Sequence, residues 1–327
     1  MQSRVTNAPA SGTDGPVIDL IERELATPVS AASRELGERL RSRYGDAVLG
    51  VLYYGSCFRT GTEADGILDI FLIVDDYASI YDRRLLAFAN RVLPPNVFYA
   101  EMEIDGETLR TKYAVISLQQ FEHRTSARCF HTFFWARFAQ PCALTYARDA
   151  GVRRRVATAL AGAAGTFIGR SLALQAETFS SATLWTNALR ASYRTELRPE
   201  APGAAARLVA ANAARYTKLT TLLADSMPQL TRDATDAAEP VFRSNLSVWQ
   251  RRRGRFAWLL RRPQGKLINL LRIMKAAFTF DGGVDYVLWK IERHSGVKVE
   301  ATPMLRRHPL LACWPTVWRL YRAGAFR

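Results

Sequence analysis

The sequence predicts an α+β protein, with strands gathered in the first 120 or so residues and helices dominating the rest. Two features carry this reading. VLGVLYYG (48–55) and GILDIFLIV (66–74) are short apolar runs bounded by turn residues, as buried strands are. From about residue 150 to 225 the chain becomes rich in Ala, Leu and Arg at helical spacing.

The elements follow in order. Residues 17–45 read as two helical segments broken near Pro28. After the two strands, YDRRLLAFANRVL (81–93) has helical spacing and stops at PPN. FYAEMEID (98–105) alternates and ends on Asp-Gly, and TLRTKYAVISL (108–118) reads as its hairpin partner. FHTFFWARFAQP (130–141) is a short aromatic helix ended by Pro141. ELRPEAPG (196–203) interrupts the helical region, and 225–245 is polar and reads as a loop. Residues 264–296 read as two helices around an FDGG turn. No internal repeat is visible. The expected organisation is a flexible tail (1–16), a strand-bearing domain (17–145), a mainly helical domain (146–300) and a basic aromatic segment (301–327).

Hydrophobic residues make up 48% and charged residues 23%, a globular composition. The net charge of +15 draws polyanions: nucleic acid, anionic lipid or a polyphosphate. Composition alone does not rank the three. The excess lies late in the chain: Val241 to Phe280 holds Arg and Lys but no carboxylate, and so does the stretch after Glu300. Cys57, Cys129, Cys142 and Cys313 have no metal-ligand spacing, and without a signal peptide a reducing compartment is expected. No run of 18 apolar residues suggests a spanning helix.

The chemistry concentrates in YYGSCFRTGTEADGILDIFLIVDD (53–76). A strand ending in Gly55-Ser56 can offer backbone N–H groups and a hydroxyl to a phosphate. Asp69 lies on the next strand between Leu68 and Ile70, where an unpaired carboxylate would be costly. It is a candidate ligand for Mg²⁺, with Asp65, Asp75, Asp76, Glu101, Glu103 and Glu196 as possible helpers. The competing reading is an ordinary turn, with Asp69 in a salt bridge to an arginine.

YYGSCFRTG, GILDIFLIVDD, LRTKYAVIS and WARFAQP, in this order, resemble the mitochondrial-type phosphatidate cytidylyltransferases of the nucleotidyltransferase superfamily. ASYRTELRPE and LRIMKAAFTFDGG resemble later segments of that family. The resemblance implies a nucleotidyltransferase-like mixed sheet followed by a mainly helical C-terminal domain. It also implies transfer of CMP from CTP to phosphatidic acid with Mg²⁺, giving CDP-diacylglycerol and pyrophosphate. Three positions depart from the pattern: Cys57, Ala114 and Gln140 stand where the family has Gly, Gly and Lys.

The roles implied are specific. Asp69, with Asp65 and Glu196, would hold the metal. Gly55, Ser56, Arg59 and Tyr113 would bind the nucleotide, and Lys112 a phosphate of either substrate. Arg137, Tyr193, Glu196 and Lys275 would meet the acceptor. Asp76 would cap the following helix or face solvent. For Arg137, Lys112, Lys275 and Glu196 the alternative is a solvated surface charge. No histidine has ligand spacing or an obvious role as base.

A lipid acceptor implies contact with an anionic membrane surface. WQRRRGRFAWLLRR (249–262) and PLLACWPTVWRLYRAGAFR (309–327) combine basic charge with Trp as in-plane contacts do. Packing of the last helix onto the core is the alternative for the second. The expected location is cytoplasmic, peripheral on the inner face of a bacterial cell membrane. Competing functions are nucleotidyl transfer to another phosphorylated or hydroxylated acceptor, or non-catalytic binding of RNA or nucleotide, with nucleic acid the weaker partner.

Overall fold

The computed structural model describes residues 15–62, 66–82, 84–104, 106–196, 201–233 and 239–279, with 302 and 304. Helices α1 (Gly15–Leu25) and α2 (Ala31–Tyr44) lead into β1 (Val48–Tyr54), the short α3 (Gly55–Thr60), β2 (Ile67–Val74) and α4 (Arg84–Val92). The hairpin β3 (Asn96–Ile104) and β4 (Glu107–Ser117) follows, then α5 (Leu118–Thr125), α6 (Phe133–Phe138), β5 (Ala143–Ala147) and α7 (Ala150–Ser171). Next come β6 (Thr178–Ser180), α8 (Ser181–Tyr193), α9 (Ala204–Ala211), α10 (Ala213–Ser226), β7 (Leu230–Arg232), β8 (Val241–Ser244) and α11 (Val248–Thr279).

The fold is mixed α+β and forms two compact units that interleave along the chain. One takes the described residues of Ala26–Phe121, Pro141–Arg153 and the chain from Leu267; the other takes those of Met1–Leu25, Glu122–Gln140 and Arg154–Lys266. The first helix and the aromatic helix α6 belong with the helical unit, and the end of α11 belongs with the sheet.

The sheet unit is built on five strands in the order β3-β4-β2-β1-β5. β2 and β4 run parallel, and the other pairs are antiparallel. β5 was not anticipated: ALTYA is too short to show a period and follows a helix-ending proline. Ser30 starts α2 by accepting a hydrogen bond from the Ser33 amide at 2.9 Å. Gly45, with a φ of 57°, ends it. One sheet face packs Leu68, Ile70, Leu72, Tyr113 and Val115 with Leu36 and Leu40 of α2.

A buried amide ties α4 into this unit. Asn90 is fully buried; its Nδ2 donates to the Val115 carbonyl at 3.0 Å and to the Tyr81 hydroxyl at 3.2 Å. Its Oδ1 accepts from the Asn96 amide at 2.6 Å. One side chain thus satisfies groups at the start of β3, in β4 and before α4.

In the helical unit, Trp135, Phe167, Trp185 and Tyr216 form a continuous aromatic core, with ring centroids 4.3 Å apart between the last two. Residues 225–245 are not a plain loop: β7 and β8 pair with β6 in a small sheet of order β6-β8-β7. Their few residues and the polar segment between them gave no strand period. Arg243 in β8 pairs with Glu177 and Asp233. α1 packs on α10, with Arg215 paired to Glu24 at 2.9 Å.

Ala150–Leu174 is long and apolar enough to cross a membrane by length and composition, but 72% of its most apolar window is buried inside the protein, as in a core helix. α11 begins earlier than the helix expected at 264. Its start is a reciprocal cap: Ser247 Oγ accepts from the Gln250 amide, and Gln250 Oε1 accepts from the Ser247 amide. The expected FDGG turn, the helix after it and the 301–327 segment, save residues 302 and 304, lie outside the described residues.

Replacing Asn90 with Ala leaves three buried groups short of a partner. The expected cost is about 2–3 kcal/mol, read as a lower urea midpoint at an unchanged slope.

Candidate functional site

The register of β2 builds the site. Tyr54, the last residue of β1, lies opposite Asp69. Gly55 then turns the chain into α3 with a φ of 89°, a left-handed conformation natural only to glycine. A Cβ on Gly55 would stand 3.0 Å from both Cβ and Cγ of Asp69, and closer still to Oδ2. The carboxylate therefore occupies the space a side chain at 55 would need.

On its other side Asp69 lies against Lys112 across the parallel pair. Lys112 Nζ is 3.9 Å from Asp69 Oδ1, an ion pair without hydrogen-bond contact. The Asp69 side chain is 26% exposed and that of Lys112 33%. Asp69 is thus not a buried carboxylate, as its apolar neighbours suggested. Strand alternation sends Leu68 and Ile70 into the core and leaves Asp69 on the other face. Its basic neighbour is a lysine from the next strand, not an arginine.

Ser56 is exposed in the first turn of α3, where amides have no acceptor within the helix. Arg59 is exposed in the last turn. Cys57 is helical and buried, and its thiol donates to the Ile67 carbonyl at 3.2 Å. Glycine is therefore not required there for backbone freedom. Gly66 makes room for the sulfur, since a Cβ at 66 would run into Cys57 Sγ.

Tyr113 is placed differently from its expected role at the nucleotide. It pairs with Ile70, on the opposite face from Lys112, and is buried. Its hydroxyl lies 3.0 Å from that of Tyr44, and its ring stacks on Phe98 at 5.2 Å. Burial holds this phenol far above its usual range, so Tyr113 is a core residue.

The remaining expected helpers divide. Asp65 lies outside the described residues. Asp75 is exposed, and Asp76 accepts from the Ala78 amide and pairs with Arg91, closing a turn before α4. Glu101 pairs with Arg110, and Glu103 accepts from Thr108, both within the β3–β4 hairpin. Arg137 and Glu196 come together in the helical unit, with Nη2 to Oε1 at 3.9 Å. Arg137 also lies over the Phe133 ring at 4.1 Å. Tyr193 ends α8, and its carbonyl accepts from the Glu196 amide at 3.0 Å. Sequence reasoning assigned all three to the acceptor without foreseeing that the turn after α8 brings Glu196 to Arg137 of α6.

Lys275 serves the backbone. Its ammonium donates to the carbonyls of Leu93 and Pro95, and the neighbouring Arg272 donates to Pro94 at 3.0 Å. Burial, reinforced by the charge of Arg272, pushes Lys275 down to about 7. Together the two side chains fasten the end of α11 to the α4–β3 turn. This explains Lys275 without a ligand.

Nucleotide-bound Mg²⁺ takes one or two protein carboxylates and completes its shell with phosphates and water. Asp69 fits that donor set: it is accessible and faces the space that Gly55 leaves without a side chain. Among the described residues, no three or more His, Cys, Asp or Glu side chains gather as a metal cage. The chain matches no known family model and no curated protein.

Substituting Gly55 with Ala imposes both the strained φ and overlap with Asp69. We expect it to cost about 1–3 kcal/mol or more in chemical denaturation. For Lys275 the sign follows from its lowered value. Between about pH 7 and its ordinary value of 10.5 the unfolded chain binds the extra proton, so stability rises with pH across that window. K275M should flatten this rise in urea midpoints measured between pH 7 and 10.

Proposed function

We propose that the chain is a nucleotidyltransferase that transfers CMP from CTP to phosphatidic acid. The observation that carries the reading is the accessible Asp69 carboxylate held against Gly55, with Lys112 on its other flank. It is supported by the sequence resemblance and by the five-stranded mixed sheet, which suits a nucleotidyltransferase-like fold.

In this reading Asp69 is the carboxylate for Mg²⁺, with Asp65 as a further donor. Mg²⁺, when bound, neutralises the triphosphate and the departing pyrophosphate. Ser56 and the first amides of α3 orient phosphate oxygens, and Arg59 offers a guanidinium to the triphosphate. A phosphate oxygen of the acceptor forms a bond to the α-phosphorus of CTP. The α–β bridging bond breaks, and its electron pair leaves with pyrophosphate. The acceptor is already an anionic nucleophile, so no strong protein base is needed. The Lys112 cation favours charge gathered beside Asp69. Arg137 and Tyr193 are assigned to the acceptor head group. Such an enzyme works from the inner face of the cell membrane as a peripheral protein.

Labelled CTP with Mg²⁺, offered phosphatidate, phosphorylated sugars and RNA in parallel, tests the reading. Labelled CDP-diacylglycerol should form with phosphatidate alone. D69N should fold as the parent does and lose at least about 100-fold in rate, as when a key electrostatic group is removed. Full turnover by a folded D69N protein overturns the metal role, and transfer to another acceptor overturns the substrate.

A further inference from the structure

The first part of α11, Val248 to Lys266, is amphipathic in the reverse of the usual sense. Its inward face is made mainly of small and polar groups, with one large ring among them, the buried Trp258, set edge-on against Trp135. Gly254 and Gly265 pack where a Cβ would overlap Ala173 and Thr195. Arg251 Nη1 donates to the Gln175 carbonyl at 2.6 Å, and Arg255 Nε to Ala173 at 3.1 Å. Trp258 Nε1 donates to Arg170 at 2.9 Å, and the buried Arg261 donates to Phe130 at 3.1 Å. The other large apolar residues face outward: Trp249 is 66% exposed, Phe256 60%, Leu259 57% and Leu260 48%. At 100° per residue these four fall on one stripe. Arg252, Arg253 and Lys266 are exposed beside it, and Arg253 lies over the Trp249 ring at 5.5 Å.

We propose that this outward face of α11 docks on an anionic lipid bilayer, lying in the interface with Trp249, Phe256, Leu259 and Leu260 inserted. The charge selects the occupant. The helix holds no carboxylate, so a second copy of the same face would set like charge against like. The chain after Glu300 also carries arginines and no carboxylate, which makes it an equally poor cover. An anionic bilayer supplies both an apolar layer and the opposite charge. This inference rests on the lipid-acceptor reading for its purpose, but docking is measurable without turnover.

The test is flotation of the full chain with vesicles of phosphatidylcholine alone or mixed with phosphatidylglycerol, which is not the proposed acceptor. The chain should float with the mixed vesicles and bind the neutral ones at least about tenfold more weakly. F256E/L260E should abolish flotation, and R252E/R253E should weaken it at least about tenfold while leaving the unfolding midpoint unchanged, since these side chains are exposed. Failure of the parent chain to bind mixed vesicles overturns the proposal, as does unaltered binding by F256E/L260E. Light scattering that shows a dimer split by the same substitutions, without vesicle binding, assigns the face to a second copy instead. Vesicle binding without CMP transfer leaves the docking face standing and removes the proposed enzyme activity.

Discussion

A carboxylate on β2 fills the space where residue 55 would carry a side chain, and the geometry of the candidate site depends on that contact. It exists because Tyr54 is in register with Asp69, so the turn after β1 comes down beside the carboxylate. The register is held by burial. A slip of one residue would send Asp69 into the face occupied by Leu68 and Ile70 and bring those side chains out. The apolar alternation of β2 thus serves stability and aims the one polar residue within it.

The second constraint is the parallel pairing of β2 with β4. It requires the chain to leave β2, pass through α4 and β3, and return, so the α4–β3 turn must be held firmly. Asn90 does this from within, and Lys275 and Arg272 do it by binding the turn's carbonyls. The reward is Lys112 at the side of Asp69. A cation there moderates the carboxylate's charge and leaves a mixed-sign patch at the edge of Gly55-Ser56. That arrangement suits a phosphate-bearing ligand better than a carboxylate alone.

Much of the sheet could be read from the sequence because β1, β2 and the β3–β4 hairpin have clear apolar runs and turn residues. The pairing that sets Lys112 beside Asp69 is non-local, and no period along either strand reveals it. Tyr113 shows the same limit. It neighbours Lys112 in sequence, yet alternation puts it on the opposite face, where its ring packs on Phe98. Lys275 looked like a head-group ligand because it is basic, but its acceptors are the carbonyls of Leu93 and Pro95, far away in the chain. The small sheet formed by β6, β7 and β8 escaped notice because three or four residues are too few to establish a pattern.

α11 shows why a charge run cannot by itself be assigned to solvent or to a partner. Of the arginines in WQRRRGRFAWLLRR, those at 251, 255 and 261 donate to backbone carbonyls and Arg261 is buried, whereas 252 and 253 are exposed. Glycines at 254 and 265 permit the close approach that lets these donors reach. The cost of burying Arg261 is visible in its guanidinium, which desolvation pushes down to about 10. Trp258 packs inward on Trp135, whereas Trp249, Phe256, Leu259 and Leu260 stay exposed while hydrogen bonds and small residues complete the attachment. The collection of those four on the outward face is therefore a constraint separate from folding, and a bilayer satisfies it where water does not.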